Sequence, residues 1–227
     1  MSDFIANDTA LIVMNAREIP DAIMSIRSLT GVDLIWASYY SEVELETVIP
    51  EVIANTYYKR YMIISDDTVV TQGAVESVLM THDQSPEAVA CGWVNVDNTG
   101  DRSTYNPEPL RHLTGGMPPA SAYGFASIDQ TRQLDPRKAH RTYFHGMVLA
   151  TMSRELWQRY PFGSYAGCAS DYHQCLRLQL DDVPIWTHPD AYVYHLKEIQ
   201  NRLDKNPVHA LQIGKRPSRV MLERQLR

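Results

Sequence analysis

The sequence YMIISDDTVVTQGAVESVL, which covers residues 61–79, contains the pattern that decides the fold. Its first four residues are all apolar, and a short run of this kind is typical of a parallel strand covered on both faces. Ser65, Asp66 and Asp67 follow directly, and from residue 73 onward apolar residues recur at helical spacing. The stretch therefore predicts a buried strand, an acidic turn and a helix.

Short apolar runs and helical patterns also alternate along the chain on both sides of this stretch. We predict further strands at 10–14, 32–37, 88–96 and 147–152, and further helices at 20–29, 42–55, 154–160 and 171–180. Strands that alternate with helices imply crossover connections and parallel pairing. The sequence therefore predicts a layered α/β fold with a mostly parallel central sheet.

Residues 97–141 interrupt this alternation with repeated Gly and Pro and no sustained apolar period. A long segment of this kind within a domain is either a lid or binding loop, which we favour, or a partly disordered insertion. The length of 227 residues suits one domain. We assign residues 1–200 to that domain and residues 201–227 to a C-terminal helical tail.

Composition and charge argue against several classes of protein. The net charge of −6 disfavours nucleic acid as a partner. Three cysteines form no framework of spaced pairs, so a reducing compartment is expected. The sequence contains neither an apolar run long enough to span a bilayer nor a signal-peptide pattern, so we predict a cytoplasmic protein without a transmembrane segment. The sequence leaves open whether the chain forms homo-oligomers.

The acidic turn of Asp66 and Asp67 follows a predicted buried strand. In open α/β sheets ligands bind beyond the carboxyl ends of the strands. Two adjacent carboxylates repel each other unless a cation lies nearby, and Mg²⁺ or Mn²⁺ prefers oxygen ligands together with substrate phosphates. The turn is therefore interpreted as a site for metal-bound phosphate; the alternative is that both aspartates only cap the following turn and helix.

Residues 61–79 resemble the hallmark segment of GT-A glycosyltransferases, in which an apolar strand ends in an Asp-x-Asp motif. Ser65 stands at the first acid of that motif, Asp66 at the variable position and Asp67 at the last, metal-binding acid. The resemblance implies a GT-A (Rossmann-like) three-layer sandwich, with Ser65 and Asp66 at the nucleotide sugar and both Asp67 and Asp66 at the metal. It also implies that the 97–141 loop lies on the acceptor side.

Residues 144–196 resemble the later part of a family 2-like transferase, in the same order along the chain. The resemblance implies that Gly146 lines the nucleotide-sugar site, that Asp171 is the catalytic base, and that His195 joins the metal. Taken from the residues alone, Ser170 and Asp171 also suit the N-terminus of a helix. His195 alone would usually be a structural histidine.

The end of the first predicted strand contributes Asn15 and Arg17, which the resemblance brings near the base or ribose of the donor. The acidic residue that usually reads the base after the second strand is replaced by Trp36, Ala37 and Ser38. The donor is therefore open: a UDP-sugar is favoured and a GDP-sugar is the alternative.

Three other groups of residues have competing interpretations. Cys168, His173 and Cys175 suggest zinc but offer too few ligands for a structural site. Arg177 matches an arginine of the family helix, or pairs with Asp181 or Asp182. Two interpretations compete for a group of aromatic residues: they form a platform for a sugar acceptor, or they pack in the core. The group consists of Tyr143, His145, Trp157 and Tyr165, and core packing ranks first for Trp157.

Together these features predict a metal-dependent glycosyltransferase of the hexosyltransferase type. It would use Mn²⁺ or Mg²⁺, take the sugar from a nucleoside-diphosphate donor, and transfer it with inversion to a glycan or another hydroxyl acceptor. Two alternatives remain. One is a metal-dependent nucleotidyltransferase, which the absence of a Gly-rich loop after residues 10–14 disfavours. The other is a non-catalytic sugar-nucleotide-binding protein of the same fold.

Overall fold

The computed structural model describes residues 8–17, 19–39, 42–94, 102–104, 126–163 and 170–196. The described strands are β1 (Thr9–Asn15), β2 (Asp33–Ser38), β3 (Arg60–Ser65), β4 (Thr68–Val69), β5 (Val89–Trp93), β6 (Arg102–Ser103), β7 (Ala126–Ser127), β8 (His140–Thr142), β9 (Ala150–Ser153), β10 (Ile185–Tyr192) and β11 (Tyr194–His195). The described helices are α1 (Pro20–Arg27), α2 (Glu42–Asn55), α3 (Gln72–Gln84), α4 (Ile128–Thr131), α5 (Arg154–Arg159) and α6 (Ser170–Leu180).

Seven of these strands form the central sheet, in the order β2-β1-β3-β9-β5-β10-β8. The pairs β1–β2, β1–β3 and β5–β10 are parallel, whereas β9 runs antiparallel to both its neighbours and β8 runs antiparallel to β10. Only β9 and β8 therefore oppose the direction of β1 within this sheet. The predicted α/β fold with a mostly parallel sheet is confirmed.

Helices cover both faces of the sheet, and β1 shows why. Ala10, Ile12 and Met14 belong to a hydrophobic cluster with α2, α5 and α6, whereas Leu11 and Val13 belong to a second cluster with α1 and α3. Successive side chains of a strand point to opposite faces, so a fully apolar strand needs a layer on each side. The predicted three-layer arrangement follows directly.

The boundaries of two helices follow from local chemistry. Pro20 begins α1, where its missing N–H costs no hydrogen bond and its fixed φ suits the first turn. The Thr71 hydroxyl caps α3 by accepting a hydrogen bond from the Ala74 N–H at 3.2 Å. The helix that follows the acidic turn is thereby given a defined start.

The chain segment predicted to be irregular contains more structure than its composition indicates. β6 pairs with β7 within 97–141, and β8, which begins in this segment and ends at Thr142, forms an edge of the main sheet. These strands are too short to show a period, which is why sequence reasoning missed them. Residues 105–125 of the predicted loop and the whole predicted tail at 201–227 lie outside the described residues.

Within the described part of the chain, no helix has both the length and the apolar character needed to cross a membrane.

Candidate functional site

The carboxyl ends of β1 and β3 lie side by side at one edge of the sheet and carry the first half of the site. Their parallel register pairs Met14 with Ser65, and the Asp66 N–H donates to the Met14 carbonyl at 3.2 Å. Asp66 and Asp67 therefore project from the turn after β3 toward neighbouring elements. Both aspartates are fully buried, at 0% exposure.

Asp66 faces the loop that joins β1 to α1. Its Oδ2 accepts hydrogen bonds from the backbone N–H of Ala16, at 2.8 Å, and from that of Arg17, while its Oδ1 accepts from Arg17 Nε at 3.1 Å. Hydrogen bonds to a carboxylate from a guanidinium and from backbone N–H groups are stronger than those between neutral groups. Asp66 thus fixes the conformation of the loop that presents Arg17.

Arg17 connects three consecutive residues through its guanidinium. Besides the bond to Asp66, Nη1 contacts Asp67 Oδ2 at 2.6 Å and Nη2 donates to Ser65 Oγ at 2.9 Å. Burial lowers the pKa of Arg17, but the charges of Asp67 and Asp66 outweigh this effect and leave the pKa raised. One guanidinium therefore neutralises part of the charge on two buried carboxylates.

Asp67 receives donors from three directions. Its Oδ1 accepts from Ser65 Oγ at 2.6 Å, and its Oδ2 accepts from Arg17 Nη1 and from His195 Nε2, the latter at 2.7 Å. Burial raises the pKa of Asp67, but the hydrogen bond from His195 and the charge of Arg17 more than offset it, so the pKa is lowered. Asp67 is therefore a carboxylate at neutral pH.

His195 reaches Asp67 because of a small second sheet. β11 pairs antiparallel with β4, directly after the acidic turn, with His195 opposite Thr68. A hydrogen bond from the Leu196 N–H to the Asp67 carbonyl, at 2.9 Å, closes the connection. Residues 128 positions apart in the sequence are thus brought into contact.

The chemistry of these residues can be compared with the needs of a divalent cation. Among the described residues no cluster of three His, Cys, Asp or Glu side chains has the arrangement of a metal site. Asp67 and His195 nevertheless converge on one point, and a carboxylate with an imidazole suits Mn²⁺. Mn²⁺ and Mg²⁺ can complete their shells with phosphate and water. A cation bound by Asp67 Oδ2 and His195 Nε2 would have to replace both the contact with Arg17 Nη1 and the hydrogen bond between the two ligands themselves.

Asn15 ends β1 beside this cluster. Its side-chain Oδ1 is buried and has no hydrogen-bond partner within the described residues. Its carbonyl accepts from the Tyr39 N–H at 3.3 Å, which ties it to the residue after β2. An unpaired buried acceptor is costly, so this oxygen is available to a donor group on a ligand.

The remaining predicted site residues lie on α6 and in the segment before β9. Asp171 lies in the first turn of α6, is 8% exposed, and accepts the Tyr172 N–H at 2.8 Å. Burial raises the pKa of Asp171, and although the interactions with His145 and with the Tyr172 N–H oppose this rise, the pKa remains above its usual value. Gly146 adopts a φ of +57°, a conformation that a residue with a Cβ rarely adopts.

Several expectations about neighbouring residues are corrected or refined. The expected ion pair of Arg177 does not form: Arg177 donates to the carbonyls of Arg159, at 2.8 Å, and Pro161, at 3.4 Å. Asp181 is instead bound by Arg159, and Asp182 by Arg141, because those side chains reach the two acids from across the helix end.

Among the described members of the aromatic and cysteine groups, Trp157, His145 and Cys175 are buried, whereas Tyr143 and His173 are half-buried. Trp157 is 1% exposed and donates to the Tyr61 carbonyl at 2.9 Å, so its interpretation as a core residue is confirmed. His145 is 1% exposed. Cys175 is a buried free thiol, and burial raises its pKa well above the usual value. Cys168 and Tyr165 lie outside the described residues.

Gln174 is a residue of this region that sequence reasoning missed. It is fully buried, and its amide joins His145 to the Tyr160 carbonyl. The signal was its spacing, since Gln174 follows Asp171 by three residues and so shares a helical face with it.

Comparison with known proteins was made by sequence and by structure. No protein-family model matches the chain, and no curated protein matches it. A197 from STIV matches in structure with a TM-score of 0.53 and 11% identity, covering 82% of this chain and 84% of that one. GalNAc-T7, solved with UDP, GalNAc and Mn²⁺, matches with a TM-score of 0.57 and 7% identity, covering 82% of this chain and 42% of that one.

The chain has the GT-A fold. The match covers less than half of the GalNAc-T7 chain, and identities this low carry the fold but not the activity. CMP:2-keto-3-deoxy-manno-octonic acid synthetase, complexed with CTP, also matches, with a TM-score of 0.46 and 13% identity over 90% of this chain and 98% of that one. That lower TM-score carries no argument for either activity.

Proposed function

We propose that this GT-A domain is a metal-dependent glycosyltransferase that moves a sugar from a nucleoside-diphosphate donor to an acceptor hydroxyl, with inversion at the anomeric carbon. The observation that carries the proposal is the contact of Asp67 with His195, at 2.7 Å, at the carboxyl edge of the sheet. Ligands bind at this edge in open α/β sheets. The carboxylate and the imidazole come from separate elements, so capping of α3 does not explain their contact.

Asp67 and His195 are the proposed ligands of Mn²⁺ or Mg²⁺. When bound, the metal would supply positive charge to the diphosphate as the nucleotide departs. Asp66 contributes a second negative charge beside this position, although its oxygens already accept the loop N–H groups and Arg17 Nε. Asp66 therefore acts mainly by holding the loop, and joins the metal only where Arg17 withdraws.

The donor nucleotide is assigned to the neighbouring polar groups. Ser65 has a hydroxyl that binds Arg17 and Asp67 in the structure, and Asn15 offers a buried amide oxygen that has no hydrogen-bond partner among the described residues. Arg17 binds the carboxylates through a forked guanidinium, a geometry that equally suits phosphate oxygens. Once a metal neutralises Asp67, we expect Arg17 to turn from Asp67 to the diphosphate. A UDP-sugar is the favoured donor and a GDP-sugar the alternative.

Asp171 is the proposed catalytic base. It would take the proton from the acceptor hydroxyl while the oxygen attacks the anomeric carbon from the face opposite the diphosphate. Gly146, which precedes β9 and has a φ of +57° that favours glycine, is assigned to the nucleotide-sugar site. The domain is assigned to residues 1–200, with acceptor contacts from the 97–141 loop and a helical tail after residue 200.

Release of the nucleotide from a panel of UDP- and GDP-sugars, with Mn²⁺ and with water as the probe acceptor, tests these assignments. Asp67→Asn should lose metal-dependent nucleotide binding, and Asp171→Asn should bind the nucleotide but lose turnover by about 100-fold or more. Asp190→Asn is the matched control, since Asp190 has a side chain that is 75% exposed. Parent rates in both site variants would overturn the assignment.

The same preparation distinguishes the two alternatives. Release of diphosphate from a nucleoside triphosphate and a sugar 1-phosphate would favour a nucleotidyltransferase. Metal-dependent binding of a nucleotide sugar without turnover by the parent chain, across a broad panel of glycan acceptors, would favour a non-catalytic binding protein. The serines at positions 65 and 170, where the family pattern has acids, are the residues on which that second alternative depends.

A further inference from the structure

A pair of aromatic rings lies at the carboxyl ends of β5 and β10. Trp93 ends β5 and Tyr192 ends β10, and the register of these parallel strands pairs the two residues. Their ring centroids lie 4.6 Å apart, and the ring planes are tilted by 58° to each other. Both residues are half-buried and lie at the edge of the sheet at which ligands bind in open α/β folds. The pair is therefore within reach of a ligand at this edge.

An irregular pairing between the two strands holds the aromatic pair in place. β10 advances five residues, from Thr187 to Tyr192, where its partner β5 advances only two. The Trp93 Nε1 donates a hydrogen bond to the Pro189 carbonyl, in the extra length of β10, at 2.9 Å. Bulges occur preferentially beside active sites, where they change the direction of a side chain. The indole is thereby fixed in one orientation, with Tyr192 against it.

The aromatic pair lies close to the proposed metal ligands. Tyr192 precedes His195 by three residues, and an extended chain spans at most about 3.6 Å per residue, so their Cα atoms lie within about 11 Å. His195 in turn contacts Asp67 at 2.7 Å. In the sheet, β5 lies on one side of β3, and β1, which leads to Asn15 and Arg17, lies on the other. The pair is therefore separated by the metal position from the residues assigned to the nucleotide.

The aromatic pair also lies on the face of the sheet that α6 covers. Alternate residues of a strand share a face, so Trp93 lies on the same face as Cys91, which belongs to one hydrophobic cluster with Cys175 of α6. Trp93 is two residues beyond Cys91, about 7 Å along β5. Asp171 is four residues before Cys175, about 6 Å along α6. Because residues 181–184 lead from the end of α6 into β10, α6 begins at the carboxyl edge. Asp171 and Trp93 therefore approach the same edge on the same face.

The chemistry of two tilted aromatic rings favours a carbohydrate at this place. The face of an aromatic ring carries partial negative charge and its contacts are apolar. The C–H groups on one side of a pyranose ring can pack against such a face, whereas a phosphate or carboxylate would be repelled by it. The nucleoside of the donor is assigned to the far side of the metal position, so the acceptor is the sugar that the pair would contact.

We propose that Trp93 and Tyr192 bind the pyranose ring of the acceptor, which is therefore a glycan or a glycoside. The inference rests on the proposed function and names its acceptor class. The aromatic pair holds the sugar with one hydroxyl directed to Asp171. The oxygen of that hydroxyl forms the bond to the anomeric carbon, its proton passes to Asp171, and the nucleoside diphosphate leaves with the electrons of the broken bond.

The first test uses the parent protein and follows its indole N–H signals by nuclear magnetic resonance. The probes are the methyl glycosides of glucose, galactose, mannose and N-acetylglucosamine, each added with and without UDP and Mn²⁺. At least one glycoside should shift the Trp93 signal, whereas Trp157, which is 1% exposed, is the internal reference and should not respond. If none of these glycosides moves the Trp93 signal, the inference is overturned. If one does so in a chain that releases no nucleotide, only the proposed function fails.

The second test compares Trp93→Ala and Tyr192→Ala with the parent in transfer to the glycoside that binds. Loss of one stacking ring should raise the KM for the glycoside about 10-fold and lower the ratio of transfer to nucleotide release with water. Tyr192→Phe keeps the ring and should stay near the parent KM. Tyr57→Ala is the matched control, because Tyr57 is 90% exposed and precedes β3 at the opposite edge of the sheet. An unchanged KM in both Ala variants, or an equal fall in transfer and in release with water, would overturn the inference.

Discussion

Replacing Arg17 with Ala removes the guanidinium that bridges Ser65, Asp66 and Asp67. The two acids are fully buried, so the loss leaves adjacent carboxylates without their principal charge partner. Breaking a buried ion pair by removing one partner costs about 3–5 kcal/mol. Because the Arg17 side chain is 22% exposed, water can reach part of the site, and we expect the lower end of that range, about 3 kcal/mol.

For a domain of this size the loss corresponds to a fall in the melting temperature of about 6–12 °C. The assay is thermal and urea unfolding of the parent and Arg17→Ala with a chelator present, at neutral pH. Arg132→Ala is the matched control: its ion pair with Asp129 is exposed on both sides, and its removal should change the free energy of unfolding by less than about 0.5 kcal/mol.

Adding Mn²⁺ gives the same variant a second, opposite readout. In the parent the metal competes with Arg17 for Asp67 Oδ2, whereas in Arg17→Ala it meets two uncompensated carboxylates. A ligand that binds only the native state raises its stability. Mn²⁺ should therefore raise the melting temperature of Arg17→Ala by more than that of the parent. If the chelated variant unfolds at the parent temperature, the buried bridge is not the feature that neutralises this turn.

Three further predictions concern the packing around the central sheet. Burial, reinforced by the charge of Arg60, lowers the pKa of His82 below 6.5, so the unfolded chain binds the proton more readily and the free energy of unfolding falls as the pH drops below that value. His82→Gln should lose less of this free energy between about pH 7.5 and 5 in urea unfolding, and equal losses in both proteins would contradict the prediction. Gly92→Ala should lower the free energy of unfolding by about 1–3 kcal/mol, because the new Cβ would lie 2.8 Å from the Ala191 carbonyl oxygen. Gly73→Ala in α3, whose Cβ would have no neighbour within 4 Å, should raise it by about 0.5 kcal/mol or more; if Gly92→Ala unfolds at the higher temperature of the two, the packing around Gly92 is wrong. Trp157→Phe should cost about 1–3 kcal/mol in the same assay by leaving the buried Tyr61 carbonyl without the indole donor, and a neutral result would show that this hydrogen bond is dispensable.

Much of the sheet could be predicted because each central strand is a short, continuous apolar run. Residues 61–64 are all buried, because helices cover both faces of this strand, and the polar residues begin where the strand ends. The reversed direction of β9 was not predictable, because periodicity measures burial and contains no information on strand direction. β8 was missed because three residues in a Pro- and Gly-rich segment show no period.

The different contacts of Asp66 and Asp67 could be seen only in the structure. In sequence the two acids are adjacent, but in the structure one faces the loop after β1 and the other faces β11. The contacts that distinguish Asp66 from Asp67 join residues about 50 and 128 positions apart in the sequence, so these contacts depend on strand register rather than on local spacing. The resemblance to the GT-A pattern anticipated the residues; it did not anticipate that Arg17 would bind both carboxylates.

Metal-dependent nucleotide binding tests the central claim most directly. Thermal unfolding of the parent should shift upward with UDP, or with a UDP- or GDP-sugar, only when Mn²⁺ or Mg²⁺ is present, because the metal joins the diphosphate to Asp67 and His195. Asp67→Asn should show no such metal-dependent shift, and Asp190→Asn should keep it. A parent chain that shows no metal-dependent shift with any of these nucleotides would contradict the assignment of this edge of the sheet as a donor site.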